Sequence, residues 1–329
     1  MNRFAKFFLF VVLVPALVLT SCKKSDDNTQ TGNFETLKTY MVAQGLDLPA
    51  LLDKWAIDAK LTTDGGIVDP TDHSIPGYYV FDLRSATDFA AGHIKGAINV
   101  ALKDVVTAAQ GKTDKPILLV CYTGQNAAVA CAALRLSGFK DAKILKFGMA
   151  AWNEAFQGPW MNAKGNIAVG NSNWVFDAAP APIAYNKPAW TSTATDGKAI
   201  LDQKISEVLA AGLQTVNPAD VLANPANYTI INYWPEADYT TFGHFAGAFD
   251  IPKFSIEGDE IKYINPDKDV IIYCYTGMTS AFVTTYLNVL GYKTKGVKFG
   301  ANALVYDALK DASKTVYKGP AGYSYVTGN

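Results

Sequence analysis

Two short apolar segments, far apart in the chain, show the same pattern of strand and helix. Ile117–Val120 and Val270–Tyr273 are runs of four apolar or aromatic residues, which is typical of strands buried on both faces of a sheet. A cysteine follows each run directly, and the largely apolar segments Ala127–Ser137 and Ser280–Leu290 then predict helices. The pattern therefore predicts a strand, a tight loop and a helix, in that order, at two places.

The two places match residue by residue, which indicates an internal repeat. Each loop begins Cys-Tyr-Thr-Gly, and a glycine, Gly138 or Gly291, lies 17 positions after the cysteine. These glycines are suited to end the helices because glycine accepts the left-handed conformation. Two further pairs of segments match: Gly92–Ala97 with Gly243–Ala248, and Lys146–Gly148 with Lys298–Gly300. We infer a duplicated domain of about 120 residues.

Further strands alternate with the helices in each repeat. The candidates are Tyr78–Leu83 and Ile144–Lys146 in the first repeat, and Tyr228–Tyr233 and Thr294–Lys298 in the second. Strands that alternate with helices predict an α/β fold with a parallel sheet. We therefore expect two domains of one kind, each a small parallel sheet with helices on both faces.

The 329 residues suit two domains with connecting segments. The predicted segments are a leader at 1–21, a polar tether at 22–32, the first domain at 33–161, a linker rich in Asn, Ala, Pro and Gly at 162–196, the second domain at 197–318 and a tail at 319–329. Two helices, Phe34–Tyr40 and Pro49–Ile57, are expected to pack on the first domain, the second starting near Asp47 or Leu48.

The first 22 residues are typical of an export signal. Arg3 and Lys6 precede an apolar run, Phe7–Leu19, that is too short for a good membrane span. Leu19-Thr-Ser-Cys22 resembles the lipobox of bacterial lipoproteins, whose cysteine is lipidated and becomes the new N-terminus. The resemblance implies a cell-envelope protein anchored to a membrane through Cys22, with the periplasmic or surface face of the outer membrane as the expected place. An ordinary signal peptide with a chance cysteine is the alternative.

Charge and composition narrow the classes of function. The chain carries 29 basic and 30 acidic residues, a formal net charge of −1, so no basic excess supports nucleic-acid binding. Hydrophobic residues make up 49% and charged residues 18%, which fits neither a disordered nor a fibrous class. The four cysteines form no CxxC pair and the three histidines lie far apart, so no metal site is predicted.

The position of Cys121 and Cys274 favours thiol chemistry. A cysteine between a parallel strand and a helix lies at the carboxyl edge of the sheet, where open α/β sheets place ligands. Loop amides and the helix N-terminus favour negative charge on the sulfur and can lower a thiol pKa from about 8.5 to roughly 3.5–7.5. Gly124 and Gly277 let the backbone curl around the sulfur. We therefore expect each loop to stabilise a thiolate or a persulfide anion.

Together these motifs resemble the rhodanese family of sulfurtransferases. The first repeat carries four segments of the family pattern: Asp82-Leu-Arg84, Gly92–Asn99, Cys121–Asn126 and Phe147–Trp152. The second repeat carries three: Gly243-His244, Cys274–Thr279 and Phe299-Gly300. It departs from the pattern where Asn232-Tyr-Trp234 replaces the Asp-x-Arg element and where one residue is inserted before His244.

The resemblance implies a sulfurtransferase of the thiosulfate sulfurtransferase class that needs no metal or organic cofactor. Cys121 and Cys274 are the implied nucleophiles, each taking a sulfane sulfur as a persulfide and passing it to a thiol or a cyanide-like acceptor. The implied substrate-binding residues are Tyr122, Thr123, Gly124, Gln125, Asn126 and Ala127 in the first loop, and Tyr275, Thr276, Gly277, Met278, Thr279 and Ser280 in the second. Neither loop carries the Arg or Lys common in thiosulfate users, so polysulfides and persulfides are donors comparable to thiosulfate.

Several other residues receive a structural interpretation. Cys131 lies about 15 Å along the predicted helix from Cys121 and is expected in the core. Two histidines and one ion pair are also expected to be structural: His93, His244, and Asp82 with Arg84. The two loop tyrosines fit the mouth of a pocket and simple packing equally well.

Two other functions compete with sulfur transfer. One is a non-catalytic binding module that uses the same fold. The other is a phosphatase, which needs an arginine that closes the loop on phosphate, whereas Ala127 and Ser280 stand at that position. Between the two cysteines, the complete Asp82-x-Arg84 element favours Cys121, although Thr279 fits the family pattern better than Asn126 does.

Overall fold

The computed structural model describes residues 25–328, with side chains from residue 32 onward. The strands are β1 (Ala56–Ile57), β2 (Tyr79–Asp82), β3 (Ile98–Asn99), β4 (Ile117–Val120), β5 (Lys143–Leu145), β6 (Trp174–Val175), β7 (Thr215–Val216), β8 (Thr229–Asn232), β9 (His244–Phe245), β10 (Phe249–Asp250), β11 (Val270–Tyr273) and β12 (Thr294–Val297). The α-helices are α1 (Ser25–Ala43), α2 (Leu48–Leu51), α3 (Ala86–Ala91), α4 (Val105–Ala109), α5 (Gln125–Leu136), α6 (Gly158–Ala163), α7 (Gly197–Ala211), α8 (Pro218–Ala223), α9 (Glu236–Phe242), α10 (Met278–Val289) and α11 (Tyr306–Asp311).

Two five-stranded parallel sheets have the same topology. The first has the order β3-β2-β4-β5-β1, and the second has the order β10-β8-β11-β12-β7. Every residue of β4 and β11, the apolar runs before the two cysteines, is buried. The predicted architecture of two similar α/β domains is therefore confirmed. We call them domain 1 and domain 2.

The strands and helices predicted around the two cysteines are found to within two residues at each end. Gly138 and Gly291 follow the ends of α5 and α10 with φ values of 98° and 94°. This is the left-handed region that favours glycine, so both glycines end their helices as predicted.

The helix predicted at Pro49–Ile57 is wrong in its second half. α2 ends at Leu51, and Ala56–Ile57 forms strand β1 at the edge of the first sheet. There the N–H of Ile144 donates to the carbonyl of Trp55 at 2.9 Å. Pairing with β5 satisfies backbone groups of Trp55 to Ile57, and this outweighs a local helical preference of a few tenths of a kcal/mol.

Residues 25–32, predicted as part of a flexible tether, belong to α1 instead. Later turns of this helix bury Phe34, Leu37 and Met41 completely. Once such turns are packed, extending a helix costs little, because nucleation is the expensive step. α1 packs on α7, where a Cβ added to Gly197 would lie 2.3 Å from the Cβ of Tyr40. The expectation that the helix around Phe34–Tyr40 packs on the first domain is therefore corrected, because α1 lies against α7 of domain 2.

The linker and the tail also contact the domains. β6, within the predicted linker, pairs antiparallel with β9, with Trp174 opposite Phe245. In the tail, Val326 pairs with His93, and the indole N–H of Trp152 donates to the carbonyl of Ser324 at 2.8 Å. After domain 2 the chain therefore returns to domain 1.

The helices that follow the two cysteines face each other across the boundary between the domains. α5 and α10 pack together, and buried residues of both belong to one hydrophobic core. That core includes Val129 and Cys131 of α5 and Phe282 and Tyr286 of α10. The two cysteine loops, which begin these helices, are consequently brought close to the interface.

Candidate active site

Each cysteine directly follows the central strand of its sheet. Cys121 follows β4 and Cys274 follows β11, so both lie at the carboxyl edge, as predicted. Gly124 and Gly277 precede the helices with φ values of 85° and 77°. A left-handed residue at this point turns the chain so that the following amides face the sulfur.

The sulfur of Cys121 accepts hydrogen bonds from its own loop. The N–H of Gly124 lies 3.1 Å from Sγ and the N–H of Ala127 lies 3.4 Å from it. Cys121 is only 3% exposed. Burial raises the pKa of this thiol, although the loop amides act in the opposite direction. The expectation of a lowered pKa is therefore wrong for Cys121, because removal from water outweighs the amide hydrogen bonds.

The sulfur of Cys274 also contacts its own loop, and the last residue of that loop is a serine. The N–H of Ser280 lies 3.3 Å from Sγ, and the Ser280 hydroxyl lies 3.7 Å from the same sulfur. That hydroxyl also donates to the carbonyl of Gly277 at 3.2 Å. The equivalent position in domain 1 is Ala127, which has no polar group. The last residue of the loop is thus one chemical difference between the two sites.

A tight turn supports the Cys121 loop from behind. Phe147 and Gly148 have φ values of 61° and 60°, and the N–H of Met149 donates to the carbonyl of Cys121 at 2.8 Å. A Cβ on Gly148 would lie 2.0 Å from the same carbonyl oxygen. Only glycine fits this close approach. We call residues 147–149 backing turn 1.

Domain 2 repeats this turn. Phe299 and Gly300 have φ values of 62° and 57°, and the N–H of Ala301 donates to the carbonyl of Cys274 at 2.9 Å. A Cβ on Gly300 would lie 2.3 Å from that oxygen. We call residues 299–301 backing turn 2. The repeated Lys-Phe-Gly sequence marks both turns, but their role behind the cysteine loops is visible only in the structure.

In domain 1 a buried ion pair lies beside the loop tyrosine. The guanidinium of Arg84 is 2.6 Å from the carboxylate of Asp82, and both side chains are 1% exposed. The same guanidinium lies 5.0 Å from the ring centre of Tyr122, whose hydroxyl donates to Asp88 at 2.9 Å. The structural interpretation of Asp82 and Arg84 is thus supported, and Tyr122 is held at both its face and its hydroxyl.

Domain 2 replaces the ion pair with neutral residues. Trp234 lies beside Tyr275 at a distance of 5.2 Å between ring centres, and the Tyr275 hydroxyl bonds to Asp238. Burial, followed by the hydrogen bond to Asp238, raises the pKa of Tyr275 above its usual range. Asn232 donates to the hydroxyl of Tyr273 at 2.8 Å. Both loop tyrosines are therefore half-buried and bonded to a carboxylate.

The remaining residues singled out in the sequence have structural surroundings. His93 Nδ1 lies 2.8 Å from the carbonyl of Phe89, and His244 Nδ1 lies 3.1 Å from that of Tyr239. Each histidine thus bonds the end of the preceding helix. Cys131 is fully buried in the core, where burial raises the pKa of its thiol to about 12.

Trp160, which the sequence patterns do not single out, links the two sites. Its indole N–H donates to the carbonyl of Thr123 at 3.2 Å. Its ring meets those of Phe147 and Phe299 edge-on, at 5.2 and 4.9 Å between centres. A single tryptophan at the edge of the predicted linker carried no sequence signal for this contact.

The predicted loop residues are brought together, with two exceptions in side-chain direction. Gln125 Oε1 and Met278 Sδ contact the other domain, whereas Gln125 Nε2 donates to the Thr123 hydroxyl of its own loop at 3.2 Å. Cys22, the predicted lipidation site, lies outside the described residues. Within residues 25–328, no helical segment has both the length and the apolar character of a bilayer-spanning helix. The same residues contain no group of three His, Cys, Asp or Glu placed to hold a metal ion.

Comparison with known families decides the assignment. A family model described as the rhodanese-like domain matches residues 69–155 and 217–305, more than half of the chain. The chain belongs to the rhodanese-like family. The first matched segment contains the Cys121 loop and the second contains the Cys274 loop. The chain therefore has two rhodanese-like domains in tandem.

Curated relatives of this rhodanese-like chain are sulfurtransferases by name. The thiosulfate sulfurtransferase GlpE of Pseudomonas fluorescens is 36% identical over 83 residues, which cover 24% of this chain and 74% of that protein. GlpE of Shewanella oneidensis is 35% identical over 77 residues, which cover 23% of this chain and 76% of that protein. These names support sulfurtransferase activity as a class.

Solved structures with similarity to the rhodanese-like chain include a rhodanese-related protein from Thermoplasma volcanium. It is 24% identical, covers 34% of this chain and 97% of its own, and has a TM-score of 0.24. A thiosulfate sulfurtransferase from Pseudomonas aeruginosa is 11% identical, covers 90% of this chain and 48% of its own, and has a TM-score of 0.26. Such low TM-scores add nothing to the family assignment.

Proposed function

We propose that this rhodanese-like protein transfers sulfur through persulfides on Cys121 and Cys274. The observation that carries the proposal is the contact of each sulfur with its own loop, through two N–H groups at Cys121 and one at Cys274. Such groups stabilise a thiolate or a persulfide anion without a cofactor. The sulfurtransferase names of the curated relatives support the same reaction class.

The proposed reaction moves one sulfur atom in two displacement steps. A cysteine thiolate attacks the sulfane sulfur of the donor, and the donor's bond to that sulfur breaks, so the leaving group takes the electron pair. Sulfite leaves from thiosulfate, and a thiolate leaves from a persulfide. An acceptor thiolate or cyanide then attacks the outer sulfur and releases the cysteine thiolate. No external oxidant or reductant is required.

The donors we propose are polysulfides and persulfides alongside thiosulfate. Neither loop supplies an Arg or Lys side chain for the two charges of thiosulfate. Each cysteine is only 3% exposed, so sulfur loading requires local opening of the loop.

Mass spectrometry of the full chain tests the proposal. After incubation with thiosulfate, polysulfide or 3-mercaptopyruvate, we expect a gain of about 32 Da, one sulfur atom, that cyanide removes. The double variant Cys121→Ser/Cys274→Ser, which keeps Cys131, should show no such gain. A chain that gains no sulfur from any donor would favour the alternative, a non-catalytic binding module, for which the burial of both sulfurs is the supporting observation.

We also propose that Cys22 is lipidated and anchors the protein in the cell envelope. Leu19-Thr-Ser-Cys22 supports this proposal, together with the apolar run Phe7–Leu19 before it. Cys22→Ser should release the protein from the membrane fraction. A variant that still sediments with membranes would contradict the anchor.

A further inference from the structure

The first residue of each helix after a cysteine loop points into the other domain. Gln125 begins α5 and Met278 begins α10, so they occupy equivalent positions in the two repeats. Both are buried, with 1% and 3% of their surface exposed. Because α5 and α10 face each other, the start of each helix lies beside the loop of the other domain.

The side chain of Gln125 contacts the Cys274 site. Its Oε1 accepts a hydrogen bond from the N–H of Phe299 at 3.1 Å. A Cβ added to Gly277 would lie 2.8 Å from the same oxygen. Phe299 is the first residue of backing turn 2, which holds the carbonyl of Cys274. Gln125 therefore supports the loop of the other domain through that turn.

The side chain of Met278 makes the reciprocal contact with the Cys121 site. The N–H of Phe147, the first residue of backing turn 1, lies 3.3 Å from Met278 Sδ. A Cβ added to Gly124 would lie 2.5 Å from the same sulfur. Two N–H groups at equivalent positions, buried at Phe299 and partly buried at Phe147, are thus satisfied from the opposite domain, one by an amide oxygen and one by a thioether.

We infer that the two cysteine sites support each other across the domain interface. Gln125 is a positioning residue for Cys274, and Met278 is a positioning residue for Cys121. Both act through the backing turns and not by touching a reacting atom. An amide oxygen is a stronger acceptor than a thioether sulfur, so the support of Cys274 by Gln125 is the stronger of the two. This inference goes beyond the proposed function, because it concerns how the tandem arrangement builds each site.

Thiol reactivity at each cysteine of the full chain tests the inference. Gln125→Leu keeps a side chain of similar size but leaves the buried N–H of Phe299 without its acceptor. The Cys274 loop should then open more often, and iodoacetamide should alkylate Cys274 about tenfold faster. Alkylation of Cys121 should change less than about threefold, because its loop loses only the hydrogen bond from Gln125 Nε2 to the Thr123 hydroxyl, at 3.2 Å, and keeps both N–H groups that face the sulfur. Peptide mass spectrometry resolves the two rates.

Three other variants sharpen this test. Gln125→Met retains a weak acceptor and should give a smaller increase at Cys274. Met278→Leu should raise the alkylation rate of Cys121 about threefold, because a weak acceptor is lost. Gln110→Leu, at an exposed position on the surface of domain 1, should change neither cysteine.

An effect of Gln125→Leu on Cys121 alone, an equal effect on both cysteines, or no effect on either would overturn the inference. Thermal melting shows whether each variant is folded, and Gln125→Met decides the question if Gln125→Leu does not fold. Alkylation does not require sulfur transfer. A chain that takes up no sulfur but shows the cross-domain effect would therefore contradict the proposed function and leave this inference standing.

Discussion

Domain 1 and domain 2 hold the same Cys-Tyr-Thr-Gly loop in different surroundings. In domain 1 the loop tyrosine lies beside Arg84, which is paired with Asp82 in a buried ion pair. In domain 2 it lies beside Trp234, and Asn232 replaces the carboxylate. The backing turns, in contrast, have nearly identical backbone angles. The loop geometry therefore depends on the turn behind it, whereas the support beside the tyrosine can be either ionic or aromatic.

The largest effect is expected from Gly148→Ala in backing turn 1. The new Cβ would lie 2.0 Å from the carbonyl of Cys121, so the loop must move. We expect a loss of more than about 5 kcal/mol in the free energy of unfolding, measured with urea. Gly111→Ala is the matched control, because its φ of 76° is similar but nothing lies within 4 Å, and it should cost only about 1 kcal/mol. Equal costs for the two variants would contradict the importance of the turn.

The next effect concerns the ion pair of domain 1. Asp82→Asn leaves Arg84 as a buried charge without its partner and should lower the free energy of unfolding by about 3–5 kcal/mol. The double variant Asp82→Asn/Arg84→Trp copies Asn232 and Trp234 and should recover at least about half of that loss. Denaturant unfolding measures both. A double variant less stable than the single one would show that the two kinds of support are not interchangeable.

The third prediction ranks the two cysteines. Domain 1 retains the Asp82-x-Arg84 element, so Cys121→Ala should remove more than half of the sulfur-transfer rate, measured as thiocyanate formed from cyanide. Cys274→Ala should remove less, and the double variant should be inactive. If Cys121→Ala keeps most of the activity and Cys274→Ala loses it, the ranking is refuted and domain 2 is the main catalytic domain.

The fourth prediction is a pH dependence at Cys121. Burial raises its thiol pKa above the ordinary value of about 8.5, and only the thiolate reacts. Its alkylation rate should therefore rise with pH and should still be rising where a free cysteine has reached its plateau. A plateau at the same pH as free cysteine would show that the loop amides lower the pKa of Cys121 as much as burial raises it.

The smallest effect is expected at the last loop position. Ser280→Ala removes the hydroxyl near Cys274 and reproduces the Ala127 of domain 1. We expect the rate of sulfur loading at Cys274 to fall only about two- to threefold, because the N–H of residue 280 remains in place. Peptide mass spectrometry after a short pulse of polysulfide measures this rate. A much larger loss would make the hydroxyl a central part of the site.

The sequence predicted the strands and helices whose conformation is determined by their own short stretch of residues. The apolar runs Ile117–Val120 and Val270–Tyr273 are the central strands, and the repeat between them is a repeat of the whole sheet topology. Strand β1 was predicted as helix, because its conformation depends on pairing with β5, an inner strand of the sheet whose paired residues lie 88 positions further along the chain. Such a partner does not appear in a local pattern.

For the site, the cysteine loops could be predicted, but their depth and their neighbours could not. The amides that face Cys121 follow from the strand–loop–helix order. The raised pKa of Cys121 depends on how much protein covers the sulfur, which no single segment reveals. The direction of the Gln125 and Met278 side chains likewise depends on the packing of α5 against α10. These directions can be read only from the structure, where the two domains contact each other.

Because the tail packs on domain 1, domain 1 cannot form all of its contacts until the tail has been synthesised. Trp152 and Ser324 are hydrogen-bonded although 172 residues separate them. A ribosome adds about 5–20 residues per second, so these partners are made about 10–30 s apart. During that interval the surface around Trp152 and His93 lacks the segment that covers it, while all of domain 2 is being made. The domain that leaves the ribosome first is therefore the last to be completed.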